Sequence, residues 1–216
     1  MPVKNRFAEL HSDITAWRRD LHENPEILFE THRTSATVAE KLRSFGCDEV
    51  VEGIGRTGVV GVIKGKETGS GKVIGLRADM DALPIVEATG ADYASTVPGK
   101  MHACGHDGHT TMLLGAAKYL AETRNFSGSV ALIFQPAEED GGGGGVMVDE
   151  GIMDRFGIDQ VYGIHNAPGF PVGLFLTGPG PVLAAVDTFH IDVKGVGGHA
   201  ANPHETKDPI PCSVSI

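Results

Sequence analysis

Residues 129–145 read SVALIFQPAEEDGGGGG, a nearly unbroken apolar run followed by two adjacent glutamates and a glycine tract. A short apolar run without polar alternation is what a strand covered on both faces of a sheet requires. The same texture recurs on either side. TGVVGVIKG (57–65) and KVIGLRA (72–78) are short, β-branched and bounded by glycine or charge, so both read as strands. QVYGIHN (160–166) and VGLFLTG (172–178) are two further candidates.

Helical periods separate these runs. Phe7, Leu10, Ile14, Trp17 and Leu21 recur at three- and four-residue steps, and Val38, Leu42 and Phe45 mark a second helix that Gly46 should stop. Met112, Leu113, Ala116, Ala117 and Leu120 suggest the buried face of a third, and VMVDEG (146–151) a short fourth. Strands alternating with helices predict an α/β layered domain around a largely parallel central sheet. Thirty glycines in 216 residues suit its many tight turns.

From about Leu183 the texture changes. TFHIDVKGVGGHAANPH (188–204) reads as a strand and glycine-rich turn opening a new unit, and Pro209 and Pro211 should break any helix in the closing KDPIPCSVSI. The expected division is a catalytic domain over 1–182 and the beginning of a smaller α+β domain over 183–216.

Charge and cysteine use narrow the function. A formal charge of −10 argues against nucleic acid as the main partner, because phosphate recognition needs a basic face. There is no apolar run of membrane-spanning length and no signal-peptide core at the start, so a cytoplasmic protein with no membrane partner is the expectation. Cys47, Cys104 and Cys212 are odd in number and widely spaced, which fits reduced thiols better than a disulfide framework.

Chemistry-bearing residues gather where such sheets bind ligands, beyond the carboxyl ends of strands. Asp79 and Asp81 follow one strand, Glu138 and Glu139 a second, and His165 ends a third. MHACGHDGH (101–109) adds Cys104 and His106, a thiol and an imidazole suited to zinc and its first-row neighbours. In the glutamate pair, one carboxylate could hold a metal while its neighbour takes a proton from the water that the metal activates. Asp79 or Asp81 could orient a ligand histidine. The bland alternatives are a solvated acidic loop and structural histidines. A thiol hydrolase with Cys104 as nucleophile and His102 or His106 as its base also remains open.

Taken in order, RADMDALP (77–84), MHACGHDGH (101–109), FQPAEE (134–139) with its glycines, GIHNAP (163–168) and GGHAANPH (197–204) resemble the motifs of the M20 metallopeptidase family. Within it they are similar to the amidohydrolase branch of hippurate hydrolases, N-acyl-amino-acid deacylases and auxin-conjugate hydrolases. The resemblance implies a catalytic domain holding two divalent transition metals (zinc, manganese, nickel or cobalt) and a smaller lid domain through which such proteins dimerise. It further implies Cys104 as bridging ligand, with His106, Glu139 and His165 as the other metal ligands. Glu138 would be the general base, Asp81 the orienting carboxylate, and His199 the group that steadies the oxyanion. The substrate would be a small N-acyl amino acid. Asp140 and Gly145 depart from the family's more usual glycine and lysine. The family's chains also run well beyond this one, with a further histidine ligand that has no counterpart after His204. An amino-terminal fragment with weak metal binding and little activity is therefore expected.

Overall fold

The computed structural model describes residues 3–67 and 69–216, which fall into two compact units, Met1–Pro168 and Gly169–Ile216. In the first unit, helices α1 (Val3–Glu23) and α2 (His32–Phe45) precede strands β1 (Glu49–Ile54), β2 (Gly58–Lys64) and β3 (Val73–Asp79). Helix α3 (His106–Thr123), strand β4 (Ser129–Gln135), helices α4 (Gly143–Asp149) and α5 (Ile152–Phe156) and strand β5 (Gln160–Gly163) follow. Gly46 ends α2 in the left-handed conformation at φ 84°, where its amide bonds back to Arg43 and Leu42, as a helix stop should.

The five strands form one sheet in the order β1-β2-β4-β3-β5. β3 runs parallel to both β4 and β5, whereas β2 is antiparallel to β4 and to β1. The sheet is therefore mixed, with its parallel part at the β4-β3-β5 end. Strand β1 escapes the sequence reading because EVVEGI mixes charge with apolar residues. It sits at the sheet edge, joined to β2 by a tight turn too short for any parallel crossover.

Strand β4 shows why its sequence is apolar from Val130 to Phe134. Val130, Leu132 and Phe134 point into a core shared with α2 and α3, and Ala131 and Ile133 point into a second core containing Met147, Ile152 and Ile158. Each face of the sheet is covered, so every position of the strand after Ser129 is buried. Helix α3 is rotated from the expected face: Leu113, Leu114, Ala117 and Ala121 are buried, while Met112 is 46% exposed. Its turn at Gly115 lies against Ile14 of α1, where a Cβ would stand 2.9 Å from Ile14 Cδ1. Phe134 is fully buried at the junction of strand and site. Phe134→Ala should cost about 3–5 kcal/mol, a large part of the roughly 5–15 kcal/mol that holds a domain together. Urea unfolding of the variant beside the parent checks this.

The compact units part after Pro168, and β5 is the last segment joined to the sheet. Among the second unit's described residues VGLFLTG forms no strand: Leu174, Phe175 and Leu176 are exposed and have no ladder partner. TFHIDVKG (188–195) likewise forms no strand, and the single bridge nearby, between Val196 and Lys207, falls just after it. Pro209 and Pro211 do not prevent a helix. Pro209 opens α6 (Pro209–Val214), where a missing N–H costs nothing, and the Asp208 side chain caps it by accepting from the Ile210 amide at 2.9 Å. No described helix is long and apolar enough to cross a membrane.

Candidate metal centre

Because β3, β4 and β5 are parallel and in register (Asp79 beside Gln135, Arg77 beside both Ile133 and Gly163), their carboxyl ends open at one edge. Asp79 and Asp81, Glu138 and Glu139, and His165 leave the sheet there, and His106 begins α3 above them. The chain reverses direction across the sheet at this point. It goes from β3 through α3 to β4 on one side, then through α4 and α5 to β5 on the other, which is where α/β sheets bind ligands.

His106 is the hub. It is fully buried, and its Nδ1 donates to the Asp81 carbonyl at 2.8 Å, which leaves Nε2 as a lone-pair nitrogen. Nε2 has no hydrogen-bond partner, and neither has the buried Oε1 of Glu139. Around Nε2 stand Asp79 Oδ1 at 3.6 Å, Glu138 Oε2 at 3.7 Å and Glu139 Oε1 at 3.8 Å. Three sets of donors form, the atoms within each set lying within 4.8 Å of one another: Cys104 with His106 and His165; Asp79 with His106 and His109; and His106 with Glu138 and Glu139. His106 belongs to all three. Buried orphan atoms aimed at a common point are what a bound cation would satisfy, and the thiol, imidazole and carboxylate set fits a transition metal.

The electrostatics say the same. Burial together with the charges of Glu139, Asp79 and Glu138 pushes the Cys104 thiol up to about 12. An activated nucleophile has the reverse surroundings, an electropositive pocket that lowers the thiol; here the thiolate needs a cation to form. Burial works to lower His106, but the Asp81 hydrogen bond and the charges of Asp79, Asp81 and Glu139 raise it above its ordinary value. Burial also works to raise Asp79, but the His109 hydrogen bond, with His106 and Arg77 nearby, holds it down to about 2. His102, buried, is lowered to about 4 and both its ring nitrogens lack partners.

The chain shapes this cluster with local strain. Ala137, just before the glutamate pair, has φ 51°, and its amide bonds to the carbonyl of Leu28, itself at φ 54°. Asp81 then fixes the pair: its two carboxylate oxygens accept from the amides of Glu138 at 3.0 Å and Glu139 at 3.1 Å. The glycine tract follows because the chain must fold back on itself. A Cβ on Gly143 would stand 1.8 Å from the Pro136 carbonyl oxygen.

Of the residues singled out in the sequence, Cys104, His106, Glu138, Glu139, His165 and Asp81 come together in the first unit. His199 lies in the second, exposed, with Nδ1 accepting from the Ala201 amide at 3.1 Å. The sequence reading passed over His109, which shares a helix face with His106 three residues earlier, a spacing that could have flagged it. It also passed over Asn166, for which nothing in the sequence is a signal.

The sequence profile of peptidase family M20/M25/M40 matches residues 75–211. The chain belongs to this family. It is 49% identical over 218 residues to a thermostable carboxypeptidase of Saccharolobus solfataricus, covering 99% of this chain and 54% of that one. It is also 49% identical over 202 residues to the hippurate hydrolase of Campylobacter jejuni, covering 94% of this chain and 52% of that one. Among solved structures, a dinuclear metal binding M20 peptidase of Bacillus subtilis superposes with a TM-score of 0.72 at 41% identity, over 77% of this chain and 46% of that one. The chain thus spans about half the length of the M20 relatives it matches.

Proposed function

We propose that this M20 chain supplies the metal-holding part of an amidohydrolase that cleaves N-acyl amino acids. The convergence of three donor sets on His106, whose Nε2 is buried without a hydrogen-bond partner, is the observation that carries the reading. His106, Cys104, Glu139 and His165 are the residues that would hold the metal. Bound zinc, manganese, cobalt or nickel would make a water acidic enough to attack near neutral pH and would polarise the substrate carbonyl. A thiolate ligand disfavours magnesium and calcium.

Glu138 Oε2 is the proposed proton carrier, taking a proton from the attacking water and passing it to the leaving amine. Exposure supports the division of labour: the Glu138 side chain is 36% exposed, as a shuttle between water and substrate needs, and that of Glu139 is 20% exposed. Asp81 positions both glutamates through their amides and holds His106 through its carbonyl. His199, in the second unit, has Nδ1 as an acceptor and so carries its proton on Nε2, the form that its proposed role as an oxyanion donor requires.

Relatives named as a hippurate hydrolase and as a carboxypeptidase share one chemistry, since each breaks an amide whose amine side is an amino acid. Hydrolysis of hippurate and of acylated dipeptides, lost with chelator and restored by zinc or manganese, tests the reading. Activity insensitive to chelator but abolished by iodoacetamide would refute it. Metal uptake should also follow pH. Binding must displace the proton from Cys104, so affinity should fall as pH falls, by about tenfold per pH unit for each proton displaced. Cobalt titrations between pH 6 and 8, with proton release measured in two buffers, check the sign and the count.

A further inference from the structure

We infer that His109 is a positioning residue that sets the aim of His165, acting through the backbone of Asn166. The inference rests on the proposed reading of His165 as a ligand and goes beyond it.

His109 is one of the buried residues whose atoms could hold a metal, in the set with Asp79 and His106. Its two ring nitrogens are nevertheless both engaged by protein. Nδ1 donates to Asp79 Oδ1 at 2.6 Å, and Nε2 accepts from the Asn166 backbone amide at 3.0 Å. The Asn166 carboxamide lies against the same nitrogen and, with that nitrogen an acceptor, must turn its NH2 rather than Oδ1 toward it. No lone pair remains for a cation, in contrast to the orphan Nε2 of His106. Asn166 is thereby held at its amide, and its carbonyl accepts from His165 Nδ1 at 2.7 Å. With its proton fixed on Nδ1, His165 presents Nε2 as a lone pair, 3.4 Å from Cys104 Sγ. The order of contacts is Arg77 to Asp79 at 2.7 Å, Asp79 to His109, His109 to Asn166, and Asn166 to His165.

Gly105 gives independent support. It lies between the two proposed ligands Cys104 and His106, at φ +97°, and a Cβ there would meet the Asn166 side chain at 2.7 Å. Asn166 is thus seated against the ligand loop on one side and His109 on the other. Outer partners that fix a histidine's tautomer and tilt commonly change metal affinity by about 10–100-fold.

Two replacements of His109 separate its two bonds. His109→Asn keeps a donor near the Nδ1 position toward Asp79 and loses the acceptor for Asn166; His109→Gln keeps an acceptor near Nε2. Cobalt(II) affinity and the thiolate-to-cobalt absorption band are read for both, for His165→Ala, and for His109→Asn in the His165→Ala background. H109N should weaken cobalt by about 10–100-fold, H109Q should stay close to the parent, and H109N should cost nothing further once His165 is gone. Equal losses in H109N and H109Q, no loss in H109N, or an undiminished loss in the His165→Ala background would overturn the inference. Cobalt affinity indifferent to His165→Ala would remove the ligand reading itself, and this inference with it. Should H109N fail to fold, nitrogen NMR of the parent decides. His109 is expected protonated at Nδ1 and metal-free at Nε2, and a metallated or Nε2-protonated His109 would overturn the proposal.

Discussion

Replacing His106 with alanine is expected to lower transition-metal affinity by more than about 100-fold, beyond the loss that follows removal of an outer partner of a ligand. The expectation follows from position. His106 is the one residue common to all three donor sets, its Nε2 faces Asp79, Glu138 and Glu139, and its ring is locked by the bond from Nδ1 to the Asp81 carbonyl. Neither Asp79 nor His109 is free to take its place, because the two are bonded to each other. The variant leaves a small cavity under the start of α3, so thermal unfolding should accompany a zinc or cobalt titration in competition with a chelator. A folded variant that takes up metal as the parent does would remove His106 from the centre of the site.

Glu138→Gln should act on turnover without emptying the site. Gln keeps the size and the backbone amide that Asp81 holds but cannot accept a proton from water. Under the proposed reading, whatever hippurate hydrolysis the parent shows should fall by about 10²–10⁴-fold, the usual worth of a positioned acid or base, while metal content stays at the parent's level. Glu139→Gln should do the opposite first, lowering metal content because its Oε1 is buried and unpartnered. If both variants lost metal equally, the division of labour between the two glutamates would be wrong.

Much of this arrangement is legible in the sequence because it rests on local rules. SVALIFQ is apolar from Val130 to Phe134 since β4 is covered on both faces, and Gly46 stops α2 because only glycine enters the left-handed region cheaply there. The order of motifs carries the family and the candidate ligands. What the sequence hides is set by partners distant in the chain. Strand β1 exists only through its ladder with β2, and the exposed run at 172–178 stays out of any strand for want of one. The buried face of α3 is chosen by α1 and α2, which turn Leu114 inward and Met112 outward. Pro209 reads as a breaker until Asp208 is seen to cap the turn it opens. The link from Asp79 through His109 to Asn166 joins residues 30 and 57 positions apart, and no periodicity reports such a contact.

The most direct measurement is metal uptake per chain, by equilibrium dialysis against zinc or cobalt followed by elemental analysis, for the parent and Cys104→Ala side by side. A centre built on Cys104, His106, Glu139 and His165 takes up to about two ions in the parent, ignores magnesium, and loses uptake in Cys104→Ala. A parent that binds no transition metal, or one that binds it equally well without Cys104, would contradict the assignment of this cluster as a metal centre.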